Sequence, residues 1–334
     1  MGLFVSTLTC AIAVILAGII LGRSADAIAA TTGLGRVWTG AVLLAIATSL
    51  PELVTDVSAM SLHVPNLAAG DLFGSSLANM FILGVVSLFA VGERAPKELS
   101  PGSVLTIWLS IVLIFLGAMF VLFPFPGVFW GLRPESMLLL VIYLVGLRTI
   151  YRCSPTSHPG GSNEEPIAQS QANGRYSLVR SAAEFAMGAG LIFWAGPRFA
   201  VLAEQFANAS GLGNSFVGTL LVGFSTALPE FVTSLTAVRI GAFDLAVATL
   251  YGSSACNMAI FFALDLASPG KSIFASIGPI HALSGFLAMG LMVLGLVTVV
   301  RGPLSKRFAI IEPAGGLMVG SYVLSLWLLH VYAG

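Results

Sequence analysis

The chain is a succession of apolar runs of about 20 residues with short polar breaks, and a helix of that length is what crosses the roughly 30 Å hydrocarbon layer of a bilayer. Ten runs predict spans at 2–22, 37–61, 66–91, 102–123, 134–151, 179–207, 214–239, 244–267, 273–300 and 309–332. Hydrophobic residues make up 57% of the 334 and charged residues 9%, too few charges for a soluble surface. The expected fold class is therefore an all-α integral membrane protein. No basic stretch precedes the first run, so it is expected to be a span and not a cleaved signal peptide. Cys10, Cys153 and Cys256 are scattered and form no disulfide framework or metal spacing.

The basic residues set the expected orientation. With the N-terminus outside, the inner loops hold Arg23, Arg36, Arg94, Lys97, Arg148, Arg152, Arg175, Arg180, Arg239, Arg301, Lys306 and Arg307, and the outer loops only Arg133, Arg198 and Lys271. By the positive-inside rule both termini then lie outside, in a bacterial or archaeal plasma (inner) membrane. The one long polar stretch, residues 152–178, rich in Pro, Gly, Ser and Asn, becomes a cytoplasmic linker.

Sliding the sequence by 178 positions aligns GLGRVWTGAVLLAIATSLPELVT with GLGNSFVGTLLVGFSTALPEFVT without a gap, then DLFGSSLANM with TLYGSSACNM. About 20 of the 48 positions from 33 to 80 are identical to their counterparts from 211 to 258. This is an internal duplication. Five spans in each half is an odd number, so the second copy enters the membrane from the opposite face. Residues 1–151 and 179–334 are thus expected to be two inverted-topology five-helix repeats, an arrangement that marks secondary transporters with a midplane site. A duplicated scaffold without transport is the plainer alternative, but the repeat is strongest where the polar residues are.

Within each copy a proline and an acid interrupt an apolar helix. Pro51 has no N–H, so the carbonyl of Ala47 loses its usual helical partner; Pro229 withholds the same donor from the turn that carries Ser225. Broken helix at membrane depth is tolerated only inside protein or along a wet cavity. Beside each break stands Glu52 or Glu230, and an unpaired acid at the bilayer centre costs roughly 2.5–3.5 kcal/mol or more. No Lys or Arg of the neighbouring spans sits at matching depth, so the expected partner is a cation from solution. Carbonyl, carboxylate and hydroxyl oxygens together suit a hard ion such as Na⁺ or Ca²⁺. In the next span of each half Ser75 and Asn79, or Ser253 and Asn257, lie four apart on one helical face. Gly74 and Gly252 precede them and are expected to allow close helix approach, although small residues also pack membrane helices without any further role.

On these residues, (T/S)-x-L-P-E followed by G-S-x-x-x-N, twice in one chain, the sequence resembles the sodium/calcium exchanger family of cation/calcium antiporters. The signature repeats cover residues 33–90 and 211–267. The resemblance implies a core of the second, third, seventh and eighth spans around a cluster of ion sites, where Ca²⁺ competes with Na⁺ in alternating-access antiport. It implies Glu52 and Glu230 as the central acidic ligands, Thr48 and Thr226 beside them, and Ser49, Ser75 and Ser253 at flanking Na⁺ positions. Asn79 and Asn257 fall at the middle position, and the carbonyls of Ala47 and Ser225 complete the metal set. Ca²⁺ and Na⁺ are then substrates, with the bilayer as the other partner; no enzyme activity, cofactor, nucleic acid or protein partner is implied.

The sequence departs from that pattern in places. Ala227 stands where the first repeat has Ser49, so one hydroxyl is missing. Asp56 and Asp71 have Ser234 and Thr249 as repeat counterparts and are assigned to an ion pathway. The alternatives are a Ca²⁺/H⁺ antiporter on the same fold, a passive channel, and, remotely, an intramembrane aspartyl protease using Asp56 and Asp71. Asp265 and His281 are expected at an interface or bonded between helices, and Glu184 and Glu312 at the inner surface.

Overall fold

The computed structural model describes residues 2–89, 100–125, 127, 133–153, 177–209, 225–267, 272–300 and 313–333. Its helices are α1 (Gly2–Thr32), α2 (Arg36–Trp38), a π-helical turn (Thr39–Leu44), α3 (Ala45–Thr48), α4 (Leu50–Ser61), α5 (Pro65–Phe89), α6 (Pro101–Leu122), α7 (Pro134–Cys153), α8 (Leu178–Ala209), α9 (Leu228–Arg239), α10 (Phe243–Ala267), α11 (Ile273–Ser276), α12 (Ile280–Val300) and α13 (Pro313–Ala333). Eight are long and apolar enough to span a membrane, and the bent pair Arg36–Thr48 and Leu50–Ser61 makes a ninth span. The seventh expected span is represented by α9, because residues 210–224 lie outside the described ones. The 154–176 part of the linker, and Glu312, also lie outside them.

The first span is longer than its apolar run suggests. α1 continues past Arg23 to Thr32, where Gly33 at φ 70° ends it and Gly33 N–H donates to Ala29 O (3.1 Å). That polar last part is held by Asp26, which accepts from Arg36 Nε at 2.7 Å. The second span differs more: it opens with a π turn and is bent by 43° at Ser49. α6 starts where Ser100 caps it, accepting from Ser103 N–H at 3.2 Å, with Pro101 at the position that needs no donor.

Burial sorts the helices into core and periphery. The most apolar stretch of α10 is 89% buried and that of α5 67%, against 22% for α1, α7 and α8 and 17% for α13. α10 is thus surrounded by protein on all sides, and its packing uses small residues. A Cβ on Gly252 would stand 2.7 Å from Ala41 Cα and 2.8 Å from its carbonyl oxygen, so only glycine lets the π turn lie against α10. Gly74 shows no such approach: nothing described lies within 4 Å of its Cβ position, and its repeat-related partner, residue 219, is outside the described residues.

The inversion is visible in the contacts. Asn66 Oδ1 lies 3.2 Å from His281 Nε2, and Ser103 Oγ donates to Asp244 Oδ1 at 3.3 Å. Adding 178 to 66 and 103 gives 244 and 281, so the two contacts exchange under the repeat. They lie at opposite ends of the bundle, one where α5 begins and the other where α10 begins. Ser136 Oγ, at the start of α7, donates to Asp265 Oδ2 near the end of α10, at the same end as Asn66 and His281. The fold is all-α, two inverted five-helix repeats, with α1 and α8 packed along one another beside the core.

Candidate ion-binding site

Both broken turns place an acid at the start of a new helix. Ser49 (φ −84°, ψ 2°) and Ala227 (φ −83°, ψ 1°) leave the helical path by the same amount, Pro51 and Pro229 follow, and Glu52 and Glu230 fall in the first turn of α4 and α9. A helix N-terminus carries about half a positive charge, so each acid sits where the backbone favours negative charge. Both are sealed from solvent, Glu52 at 2% and Glu230 at 1% exposure. The two carboxyls lie near enough for their charges to repel when both are ionised.

A hydrogen-bonded line connects the repeats. Ser49 Oγ and Ser253 Oγ are 2.8 Å apart, and Ser253 Oγ donates to Glu230 Oε1 at 3.3 Å. A hydroxyl has one proton, so Ser253 spends it on Glu230 and must accept from Ser49. Thr48 also lies beside the Glu230 carboxyl, while its hydroxyl donates back to Leu44 O (3.0 Å). Asn257 Nδ2 donates to Ser75 Oγ at 2.7 Å, whereas Asn79 Nδ2 donates to Ser254 Oγ at 3.2 Å. These two bonds are not repeat-related, because the counterpart of Ser75 is Ser253. The difference goes with the missing hydroxyl at Ala227: Ser253 is bonded to Ser49 and Asn79 to Ser254, while Ser75 has no serine opposite and receives Asn257.

The structure therefore brings Glu52, Glu230, Thr48, Ser49, Ser75, Ser253, Asn79 and Asn257 together. Ala47 and Ser225 are buried at the two breaks and Thr226 is half-buried beside Ser225. Asp56, completely buried on α4, and Asp71 on α5 have carboxyls close enough to interact, and Asp71 also acts on both glutamates. Ser254 was not among the sequence-derived site residues; the doubled serine of GSSACN was the available signal. Asp265 and His281 are bonded between helices, to Ser136 and Asn66, as expected. Glu184 pairs with Arg180 on the exposed start of α8 at 2.8 Å.

The cluster has more acceptors than donors. Among the described residues, Glu52 Oε2, Glu230 Oε2, Asn79 Oδ1 and Asn257 Oδ1 are buried and have no hydrogen-bond partner. All are acceptors, two from each repeat. The ion pairs Arg36–Asp26 and Arg180–Glu184 lie at helix ends and reach none of them. Among the described residues no three His, Cys, Asp or Glu side chains converge as a metal cluster. A cation here would be held by a mixed set of carboxylate, amide and hydroxyl oxygens, the donor set of hard ions.

Inverted halves with broken helices meeting at buried acceptor oxygens define a secondary cation transporter. The profile of the sodium/calcium exchanger protein family matches residues 2–152 and 180–331, and the chain belongs to that family. It is similar to inner membrane protein YrbG of Escherichia coli (strain K12), 24% identical over 318 residues, 92% of this chain and 90% of that protein. It is also similar to sodium/calcium exchanger MaX1 of Methanosarcina acetivorans, 24% identical over 281 residues, 73% of this chain and 76% of that one. Among solved structures, the sodium-calcium exchanger NCX_Mj soaked with 10 mM Na⁺ and zero Ca²⁺ superposes with TM-score 0.69 at 20% identity, covering 98% of this chain and 97% of that chain. The ten-span inverted fold and the assignment to cation/Ca²⁺ antiport follow from family membership.

Proposed function

We propose that the chain exchanges Ca²⁺ for Na⁺ by alternating access, with the ions bound between the two broken turns. The observation that carries this is the set of buried acceptor oxygens without donors, contributed equally by the two repeats. Glu52 and Glu230 supply two negative charges, which match one Ca²⁺ or two Na⁺. Filled, the site is near neutral and can pass through the low-dielectric middle of the bundle. Empty, it holds facing carboxylates without a counter-charge and resists the same passage, so exchange is favoured over leak. Ser49, Ser75 and Ser253 serve the flanking Na⁺ positions, Thr48 and Thr226 with the carbonyls of Ala47 and Ser225 line the breaks, and Asn79 and Asn257 turn their amide oxygens to the middle ion.

α1 and α8 form the element that moves. They pack on one another and, through Gly18 and Gly22 of α1, close against Val232 and Thr236 of α9. Small residues on such a seam let one helix slide along another. Both termini lie outside, the linker faces the cytoplasm and the membrane is a prokaryotic plasma membrane, in keeping with the distribution of Arg and Lys.

The test is Ca²⁺ flux in proteoliposomes with Na⁺, K⁺ and H⁺ gradients applied one at a time. Uptake should follow the outward Na⁺ gradient, ignore the pH gradient once ionophores clamp the potential, and fall by about 100-fold or more in Glu52→Gln and Glu230→Gln. Uptake that follows the pH gradient instead would overturn the coupling ion, and full flux in both Gln variants would overturn the site.

A further inference from the structure

Asp56 and Asp71 stand apart from the rest of the site in one respect: they exist in one repeat only. At the matching positions of the second repeat are Ser234 and Thr249, which are buried and neutral. The bundle is therefore symmetric in backbone and asymmetric in charge. The pair occupies a defined level. α4 runs from Glu52 towards the turn at Leu62–Val64, and α5 returns from Pro65 towards Ser75. Asp56 is one turn beyond Glu52 and Asp71 one turn before Ser75, so their carboxyls meet between the central cluster and the face that carries Asn66 and His281.

Among the described residues no cationic side chain pairs with them. Asp56 is 0% exposed, and among the described residues its carboxyl faces no donor except the Asp71 carboxyl itself, with which it can share a proton when no cation is bound; Asp71 Oδ2 is likewise buried with no other partner. The group at their own level on the next helix is the His281 imidazole, which lies over Gly70 and is already engaged with Asn66 Oδ1. The remaining charges within reach are Glu52 and Glu230, which repel. Two adjoining carboxylates offer up to four oxygens and, when ionised, two negative charges, and Asp71 as a residue is partly exposed. That combination suits a partly hydrated divalent ion, which takes about 6–8 oxygens and completes its shell with water.

We propose that Asp56 and Asp71 form an additional divalent-cation position on the Asn66–His281 side of the central cluster, with no equivalent on the opposite side. The inference rests on the exchange reading for its role, since this position would load Ca²⁺ from one face only, but not for its existence. With the orientation given above, that face is outside. Apparent affinity for Ca²⁺ is then higher at the outer face than at the inner one, and the difference resides in these two residues.

Two measurements on the full chain test it. Equilibrium ⁴⁵Ca²⁺ binding to Glu52→Gln/Glu230→Gln in detergent should retain a saturable site, which is lost on adding Asp56→Asn/Asp71→Asn. In proteoliposomes sorted by orientation, Asp56→Ser/Asp71→Thr, which installs the residues that the second repeat itself carries, should raise half-saturating Ca²⁺ at the Asn66–His281 face by about tenfold or more, with little change at the other face. The Ser/Thr variant guards against loss of folding, since those side chains fill the same places in the other half. Absence of residual binding in the double Gln variant, or an equal shift at both faces, overturns the proposal. If the wild type shows no Ca²⁺ flux but the residual binding is present, the exchange reading fails and the position stands.

Discussion

The line Ser49–Ser253–Glu230 makes a prediction that separates a real relay from mere proximity. Ser49→Ala removes one buried hydroxyl bond of 2.8 Å, and Ser253 keeps its bond to Glu230 at 3.3 Å. Hydrogen bonds between membrane helices average about 0.6 kcal/mol and reach about 1.7 kcal/mol, and a buried hydroxyl pair sits towards the upper part of that range. A cost of about 1 kcal/mol is expected. Ser253→Ala costs more, about 2 kcal/mol, because it also leaves Glu230 Oε1 without its donor, and bonds to charged groups contribute roughly 1.5–3 kcal/mol. In the double variant the Ser49 hydroxyl has nothing left to reach, so Ser49→Ala on top of Ser253→Ala should cost almost nothing. The coupling energy from the cycle is then about 1 kcal/mol. Equilibrium unfolding in mixed micelles without Ca²⁺ or Na⁺ measures it, and the same cycle at saturating ion should give a smaller coupling, because the hydroxyls turn to the cation. Additive costs in ion-free buffer would refute the relay, and with it the explanation of why Asn79 and Asn257 choose different serines.

Two further outcomes are expected. Gly252→Ala puts a methyl group 2.7 Å from the Ala41 backbone, where no flexible side chain can give way, so stability should fall by about 1–3 kcal/mol in thermal unfolding. Single cysteines at the exposed positions Asn66 and Pro101, in a background with the exposed Cys153 replaced by Ser, should react with a membrane-impermeant maleimide from opposite faces in oriented vesicles, Asn66 from outside; labelling of both from one face would reject the inverted topology.

Much of this site is legible in the sequence because its chemistry is local. Pro51 and Pro229 announce a break by lacking a donor, the acid beside each needs a counter-charge, and the offset of 178 says that it happens twice. The pairing of residues was not legible. Ser49 meets Ser253 and Asn257 meets Ser75 across some two hundred residues, and no periodicity within one helix carries that information. Ser254 was passed over for the same reason, since its role depends on Ser253 being occupied. The length of α1 was underestimated because Arg23 and Asp26 look like the end of an apolar run; the helix continues because Asp26 finds Arg36. Of Gly74 and Gly252, both expected to allow close approach, Gly252 does so against Ala41, and the counterpart that would meet Gly74, residue 219, lies outside the described residues.

The π turn at Thr39–Leu44 holds one residue more than an α-helix of equal rise would need. Such a surplus is the usual trace of a single-residue insertion taken up inside a helix instead of in a loop. Because the halves align from GLG to LPE without a gap, both have the same number of residues in this stretch. In the first repeat the surplus is taken up directly ahead of the break at Ser49, on the very turn that lies against Gly252 of α10, so any residue lost or gained there would rotate Thr48 and Ser49 away from Glu230 and Ser253.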